Sequence, residues 1–212
     1  KMIEWNESNF DISTACQYVK DAYKAKKWAF VSDYIRLKVL YEYGGIYLDT
    51  DSELIKNIDA FLTTDGFLCT ESHATLSLGI ICVRPKEKWV KELIDQYDSA
   101  KFFSENGTPS LLPINKRVQR FFEDKYNYCW SNKIQTFRDG FTVFPSEYFS
   151  PINPYTGKKR ITENTYMIHH YDNTWKGKKD KILRKIMQLC TRIVGEDFRI
   201  KIVNIKNKSR RK

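Results

Sequence analysis

No apolar run in the 212-residue chain approaches 18 residues, so nothing in it reads as a bilayer-spanning helix. The five cysteines (16, 69, 82, 129 and 190) are odd in number, far apart and free of any C-x-x-C spacing. That excludes a disulfide framework and a zinc–thiolate site, and points to reduced, mostly buried thiols in a cytoplasmic protein. Nine glycines and six prolines are too few for a fibrous or low-complexity chain. The Walker loop, G-x-G-x-x-G, H-E-x-x-H and G-x-S-x-G are all missing, which leaves phosphate-loop ATPases, Rossmann dehydrogenases, zincins and serine hydrolases without support. No leader of charged then apolar residues is visible, and the chain opens as if mid-domain, so an N-terminal truncation is expected.

What is present is a foldable composition, 42% hydrophobic and 15% aromatic, enough to bury a core. The net charge of +10 is localised: residues 176–212 carry 14 Lys/Arg against 3 Asp/Glu, while the rest of the chain sits at −1. A uniformly basic nucleic-acid binder is not built this way. The composition shift divides the chain into a domain over 1–175 and a basic tail over 176–212.

The spacing predicts a strand at Met2–Trp5 and a helix from Ser13 or Thr14 to about Trp28. Ser32 is expected to cap a second helix through Tyr43, with Gly44 ending it. Ile46-Tyr47-Leu48 then forms a short strand running into Asp49-Thr50-Asp51. Further strands are expected at Gly66–Thr70, Gly79–Val83 and Thr165–Ile168, a strand or hairpin over Ile134–Phe144, and helices from Pro85 to about Asp98 and over Asn115–Asp124. Alternation of this kind implies an α/β domain with a mixed, largely parallel sheet flanked by helices.

Asp49 and Asp51, with Glu53 beyond them, face one way in extended chain. Paired carboxylates at a strand end stay ionised beside a cation, and an oxygen-rich set suits Mg²⁺ or Mn²⁺ with positions left for phosphate oxygens. A bare D-x-D is common; here it follows a helix, a double glycine and an apolar strand.

The run from Ala29-Phe30-Val31-Ser32-Asp33-Tyr34-Ile35-Arg36 through Leu40-Tyr41-Glu42-Tyr43-Gly44-Gly45-Ile46-Tyr47-Leu48-Asp49-Thr50-Asp51 resembles the signature of the DXD-motif sugar-transferases. That group includes the initiating α-mannosyltransferases and bacterial capsular-polysaccharide transferases; the likeness extends from about Trp5 to Trp175. The resemblance implies a GT-A fold, here lacking its first N-terminal strand, a nucleotide-sugar donor, a divalent metal and retention of anomeric configuration. Residue by residue it implies that Asp51 binds the metal and that Asp49 contacts the ribose and supports the metal. It places Ser32, Asp33 and Arg36 on the helix that reaches the donor, with Asp33 and Arg36 on the sugar hydroxyls. Tyr47 matches an aromatic near the nucleobase or is a plain core residue. In Met167-Ile168-His169-His170-Tyr171, alternation lets one histidine face the site, and the resemblance favours His170 as metal ligand. Thr174, Trp175 and Lys176 follow as candidate contacts to the diphosphate; the loop Asn106–Ser110 takes no catalytic role, and His73 reads as a surface residue.

In the tail, Ile182, Leu183, Ile186, Met187, Leu189, Cys190, Ile193 and Val194 form a broad apolar face on a helix over Lys178–Val194, and Lys206–Lys212 is polybasic. Such a helix either lies on an anionic membrane surface or docks on the domain. The expectation is therefore a metal-dependent retaining glycosyltransferase with a UDP-sugar donor and a glycan or lipid-linked glycan acceptor, at work in capsule or surface polysaccharide synthesis. It is expected at the inner face of the cytoplasmic membrane and without a nucleic-acid partner. The competing readings are a nucleotide-sugar-binding relic and a metal-dependent phosphohydrolase.

Overall fold

The structure, a computed structural model, describes residues 2–72, 75–110, 112–172, 177–195 and 198. A 3-10 turn at Ile12–Thr14, capped by the Asp11 carboxylate, leads into α1 (Gln17–Lys24). The expected single helix to Trp28 is broken, because Lys26 takes a left-handed φ of 55°. The second helix, α2 (Trp28–Tyr43), accordingly starts five residues before the Asp33 that a Ser32 cap implied. Ser32 lies inside it, where its hydroxyl donates to the Ala29 carbonyl at 3.0 Å instead of capping an end. Gly44 ends α2 with φ at +62°, and a Cβ there would meet Pro85 Cδ at 2.5 Å, so both backbone and packing demand glycine.

Strand β1 (Gly45–Leu48) follows, then β2 (Ser52–Leu54), β3 (Gly66–Ser72), β4 (Thr75–Val83), β5 (Gln135–Thr136), β6 (Thr142–Phe144) and β7 (Met167–His169). Met2–Trp5 has no regular structure; Trp5 packs on Tyr43 with ring centroids 5.3 Å apart. The main sheet runs β1-β4-β3-β6-β5. The mixed α/β class with flanking helices holds and is compatible with a GT-A fold, but the expected dominance of parallel pairing does not. Only β3 with β6 is parallel among the described pairings of this sheet; β1–β4, β3–β4 and β5–β6 are antiparallel. The cause is local: β3 and β4 are separated by two residues, too few for a parallel crossover.

Helices α3 (Lys88–Asp98) and α4 (Ile114–Tyr126) cover one face with α1 and α2. Helix α3 starts at Lys88 under a Glu87 cap and not at Pro85, because Lys86 takes a positive φ. Tyr18, Leu37, Trp89, Leu93 and Phe122 fill that side. The other face holds a smaller cluster around Phe61, Phe67, Phe144 and Phe149, with α5 (Ser146–Phe149) above it. Each such aromatic contributes about 1.5–3 kcal/mol by burial, and the edge-to-face pairs of Phe61 with Phe144 and Phe149 add to it. Of the thiols, Cys69 and Cys82 are buried, Cys16 is half-buried, and Cys129 and Cys190 are exposed, fewer buried than expected.

A second, two-stranded sheet pairs β2 with β7, Ser52 opposite His169. Helix α6 (Lys178–Val194) follows, with the bounds expected from sequence.

Candidate metal and donor site

The D-x-D segment is the corner where the chain leaves one sheet for the other. The Asp49 amide donates to the Gly79 carbonyl on β4 at 3.0 Å, extending the β1–β4 ladder by one residue. A turn follows, closed by the Ser52 amide on the Asp49 carbonyl, and β2 begins. Asp49 and Asp51 therefore converge through a turn and not through strand alternation. Glu53 is carried past them and pairs with His170.

Asp49 is divided between two neighbourhoods. Its Oδ1 accepts from the Tyr47 hydroxyl at 2.9 Å and lies 3.3 Å from Arg36. Its Oδ2 turns towards His169, 3.8 Å from Nε2. Asp51 Oδ1 is 3.1 Å from the same nitrogen, and Asp51 Oδ2 accepts the Asp172 amide at 3.0 Å. One ligand atom from each of Asp49, Asp51 and His169 falls within a 4.8 Å cluster, the one such three-residue grouping among the described residues.

The histidine brought to the aspartates is thus His169, whereas the expectation was His170. The reason lies in β4: Gly79 has no Cβ, and one built there would meet His169 Nδ1 at 2.8 Å. The His169 ring occupies that gap and packs at a tilt against Tyr171, ring centroids 4.1 Å apart. His170, on the opposite face, is exposed, with Nε2 2.8 Å from Glu53 Oε2. A glycine inside a strand signals close approach of another group, so Gly79 was the available clue.

Arg36 anchors the other side. It is buried; one amino group donates to the Leu78 carbonyl at 2.9 Å, the other lies 3.2 Å from Asp33, and the guanidinium sits 4.6 Å over the Tyr47 ring. Asp33 in turn accepts the Ile114 amide at the start of α4, 3.3 Å away. Burial lifts the Asp33 carboxyl to about 6 despite the Arg36 charge. Asp33 and Arg36 are therefore engaged with protein groups, and Tyr47 is neither plain core nor a free aromatic: it carries a hydrogen bond to Asp49 under a cation. Behind the cluster, burial pushes the Glu71 carboxyl on β3 up to about 7, facing the Tyr171 hydroxyl. Sequence reasoning missed Glu71; nothing in its spacing marks it. Thr174, Trp175 and Lys176, and also His73, lie outside the described residues.

Two carboxylates and an imidazole, with Asp49 Oδ2 and Asp51 Oδ1 both turned to Nε2, form a donor set that fits a divalent cation of the Mn²⁺ or Mg²⁺ kind. Residues 1–68, which contain all of the Ala29–Asp51 signature, match a family described as the glycosyltransferase sugar-binding region containing DXD motif. An uncharacterized protein of Arabidopsis thaliana is 24% identical over 159 residues, covering 74% of this chain and 22% of its own length. The chain therefore spans about a fifth of that relative. No helix among the described residues is long and apolar enough to cross a membrane.

Proposed function

We propose that this chain is a metal-dependent, retaining glycosyltransferase that moves a sugar from a nucleotide-sugar donor, UDP-linked by preference, to a glycan acceptor. The observation that carries the reading is the convergence of Asp49, Asp51 and His169 at the corner of a DXD-motif segment. A Mn²⁺ or Mg²⁺ ion held there would neutralise the nucleoside diphosphate as it departs, the kind of electrostatic help that dominates such reactions.

The chain's own residues divide the remaining work. Arg36 and Tyr47 hold Asp49 Oδ1, which leaves Oδ2 to serve the metal and the ribose side. The Asp172 amide fixes Asp51, and Gly79 and Tyr171 fix the His169 ring. Asp33 and Arg36 form the wall beside which the sugar would sit, with Ser32 on the same helix. Thr174, Trp175 and Lys176, eight or fewer residues from His169 along the chain, are proposed to meet the diphosphate. The acceptor hydroxyl would attack from the leaving-group face. The acceptor is read as a lipid-linked glycan of surface polysaccharide synthesis, met where the basic tail brings the enzyme to the inner face of the cytoplasmic membrane.

The test is Mn²⁺-dependent hydrolysis across UDP-Gal, UDP-Glc, UDP-GlcNAc, UDP-GalNAc and GDP-Man, with the Asp51→Ala variant alongside. Release of one diphosphate, dependent on metal and lost in the variant, supports the reading. Phosphate release from simple nucleotides, indifferent to the sugar, replaces it with a phosphohydrolase.

A further inference from the structure

Helix α6 is mounted with its polar face inward. On a helical wheel Arg184, Gln188, Thr191 and Arg192 share one side, spaced three, four and eight residues apart. Those residues grip the domain. Arg184 donates to the Tyr171 carbonyl at 2.8 Å, Gln188 to the Pro154 carbonyl at 3.1 Å and Arg192 to the Thr156 carbonyl at 2.6 Å. Thr191 is buried, and Gly157 lies so close that a Cβ there would meet Gln188 Oε1 at 3.0 Å. The opposite side is apolar and faces away from the protein: Ile182 is 60% exposed, Ile186 53%, Leu189 58% and Ile193 78%. A helix docked on its own core buries the apolar stripe and exposes the charges; α6 does the reverse.

An outward apolar stripe of this kind is covered by something, and its flanks say what. The helix carries six Lys/Arg against one Asp, and residues 195–212 add seven Lys/Arg against two Asp/Glu. Exposed Lys179 and Lys185 belong to the same element as the apolar stripe. An apolar stripe set in positive charge complements an anionic lipid surface, where the side chains enter the headgroup boundary and the lysines meet phosphates. We propose that the outward face of α6, centred on Ile182, Ile186, Leu189 and Ile193, is a docking site for an anionic bilayer surface. The inference rests on the peripheral attachment in the reading above and gives it a named face. It also links that face to the reaction centre, because Arg184 holds the carbonyl of Tyr171, the residue packed against His169.

The experiment is co-sedimentation of the full chain with vesicles of phosphatidylcholine alone or with 30 mol% phosphatidylglycerol, without donor or acceptor. The variant is Ile186→Ser/Leu189→Ser/Ile193→Ser, which keeps every charge; because these side chains are exposed, its thermal unfolding should match the parent. A second variant, Leu189→Glu, sets a single repelling charge in the stripe. The expected result is binding to the anionic vesicles only, weakened roughly tenfold or more in both variants. Binding unchanged in the variants overturns the proposal and leaves the polybasic end as an electrostatic tether. No vesicle binding by the parent, with a dimer in light scattering that the serine variant abolishes, overturns it in favour of a second copy of the chain. Metal-dependent donor hydrolysis measured on the same preparations separates failure of the lipid site from failure of the transferase reading.

Discussion

Arg36 beside the aspartates and Arg184 and Arg192 on α6 all donate to backbone carbonyls, those of Leu78, Tyr171 and Thr156. Their second partners differ. Arg36 is buried between Asp33 and Asp49, so its charge is consumed inside the fold and spent on the geometry of one carboxylate. The α6 arginines meet carbonyls, which satisfy hydrogen bonds but cancel no charge. The same side chain thus makes a preorganised corner in one region and, in the other, fastens a helix to the domain while adding positive charge to it. Sequence position alone does not separate the two uses; the nature of the second partner does.

The largest expected effect breaks the first corner. Asp51→Ala should reduce metal-dependent donor hydrolysis roughly 10³-fold or more, with the unfolding midpoint little changed, since Asp51 is a partly exposed turn residue. The adjacent histidines sharpen this. His169→Ala should weaken Mn²⁺ activation at least about tenfold, measured as the metal concentration for half-maximal rate, while His170→Ala should leave it within about threefold. The opposite ranking would return the ligand role to His170.

Next comes the charge that holds Asp49. Arg36→Met removes the cation that lies between Asp33 and Asp49 and should cost about 3–5 kcal/mol in urea unfolding at pH 7. Because the Asp33 carboxyl already sits at about 6, the deficit should shrink at pH 5, where the orphaned acid takes up a proton. A deficit independent of pH would mean that lost packing, not charge, is the cause.

Much of this corner was legible in the residues. The Ala29–Asp51 run located the D-x-D, the helix before it and the glycine that ends that helix. What it did not disclose was decided by contacts far apart in sequence. The choice of His169 over His170 depends on the gap at Gly79, some 90 residues earlier, together with Tyr171. The antiparallel bias of the sheet follows from a two-residue connection between β3 and β4, which strand propensities do not weigh. Ser32 read as a cap because serine favours caps, yet α2 begins four residues before it and the hydroxyl bonds back within the helix. For α6 the periodicity gave the helix and its apolar face correctly, while the direction of that face was set by carbonyls that only the folded loops at 154–156 and 171 present.

A smaller effect probes the layer behind the Asp49, Asp51 and His169 cluster. Glu71 has an ordinary value of 4.5 and is raised by burial to about 7 in the fold, so folding favours its protonated form. Its contribution to stability is complete below pH 4.5 and is lost as pH rises through 7. Glu71→Gln, unable to ionise, should therefore be more stable than the parent by about 1–3 kcal/mol at pH 8.5 and equal to it at pH 4, in urea unfolding with a chelator present. Equal stability at both values would place the Glu71 carboxyl in a wetter setting than the β3 strand provides.

The smallest effect belongs to the other side of the comparison. Arg192→Ala removes one hydrogen bond to the Thr156 carbonyl from an exposed side chain. Water can resolvate that carbonyl, so the stability loss should be about 0.5–1 kcal/mol, several times less than at Arg36. The same change deletes a cation that no carboxylate pairs with among the described residues. On an anionic surface one such charge is worth about 1 kcal/mol, so vesicle binding should weaken about fivefold at low salt and by less as salt is raised. Arg36 gives the reverse pattern: a large loss of stability and no change in the lipid affinity of the molecules that remain folded. Finding both losses at Arg192, in those proportions and with that salt dependence, would tie the positive charge of α6 to the docking of its apolar face on an anionic surface.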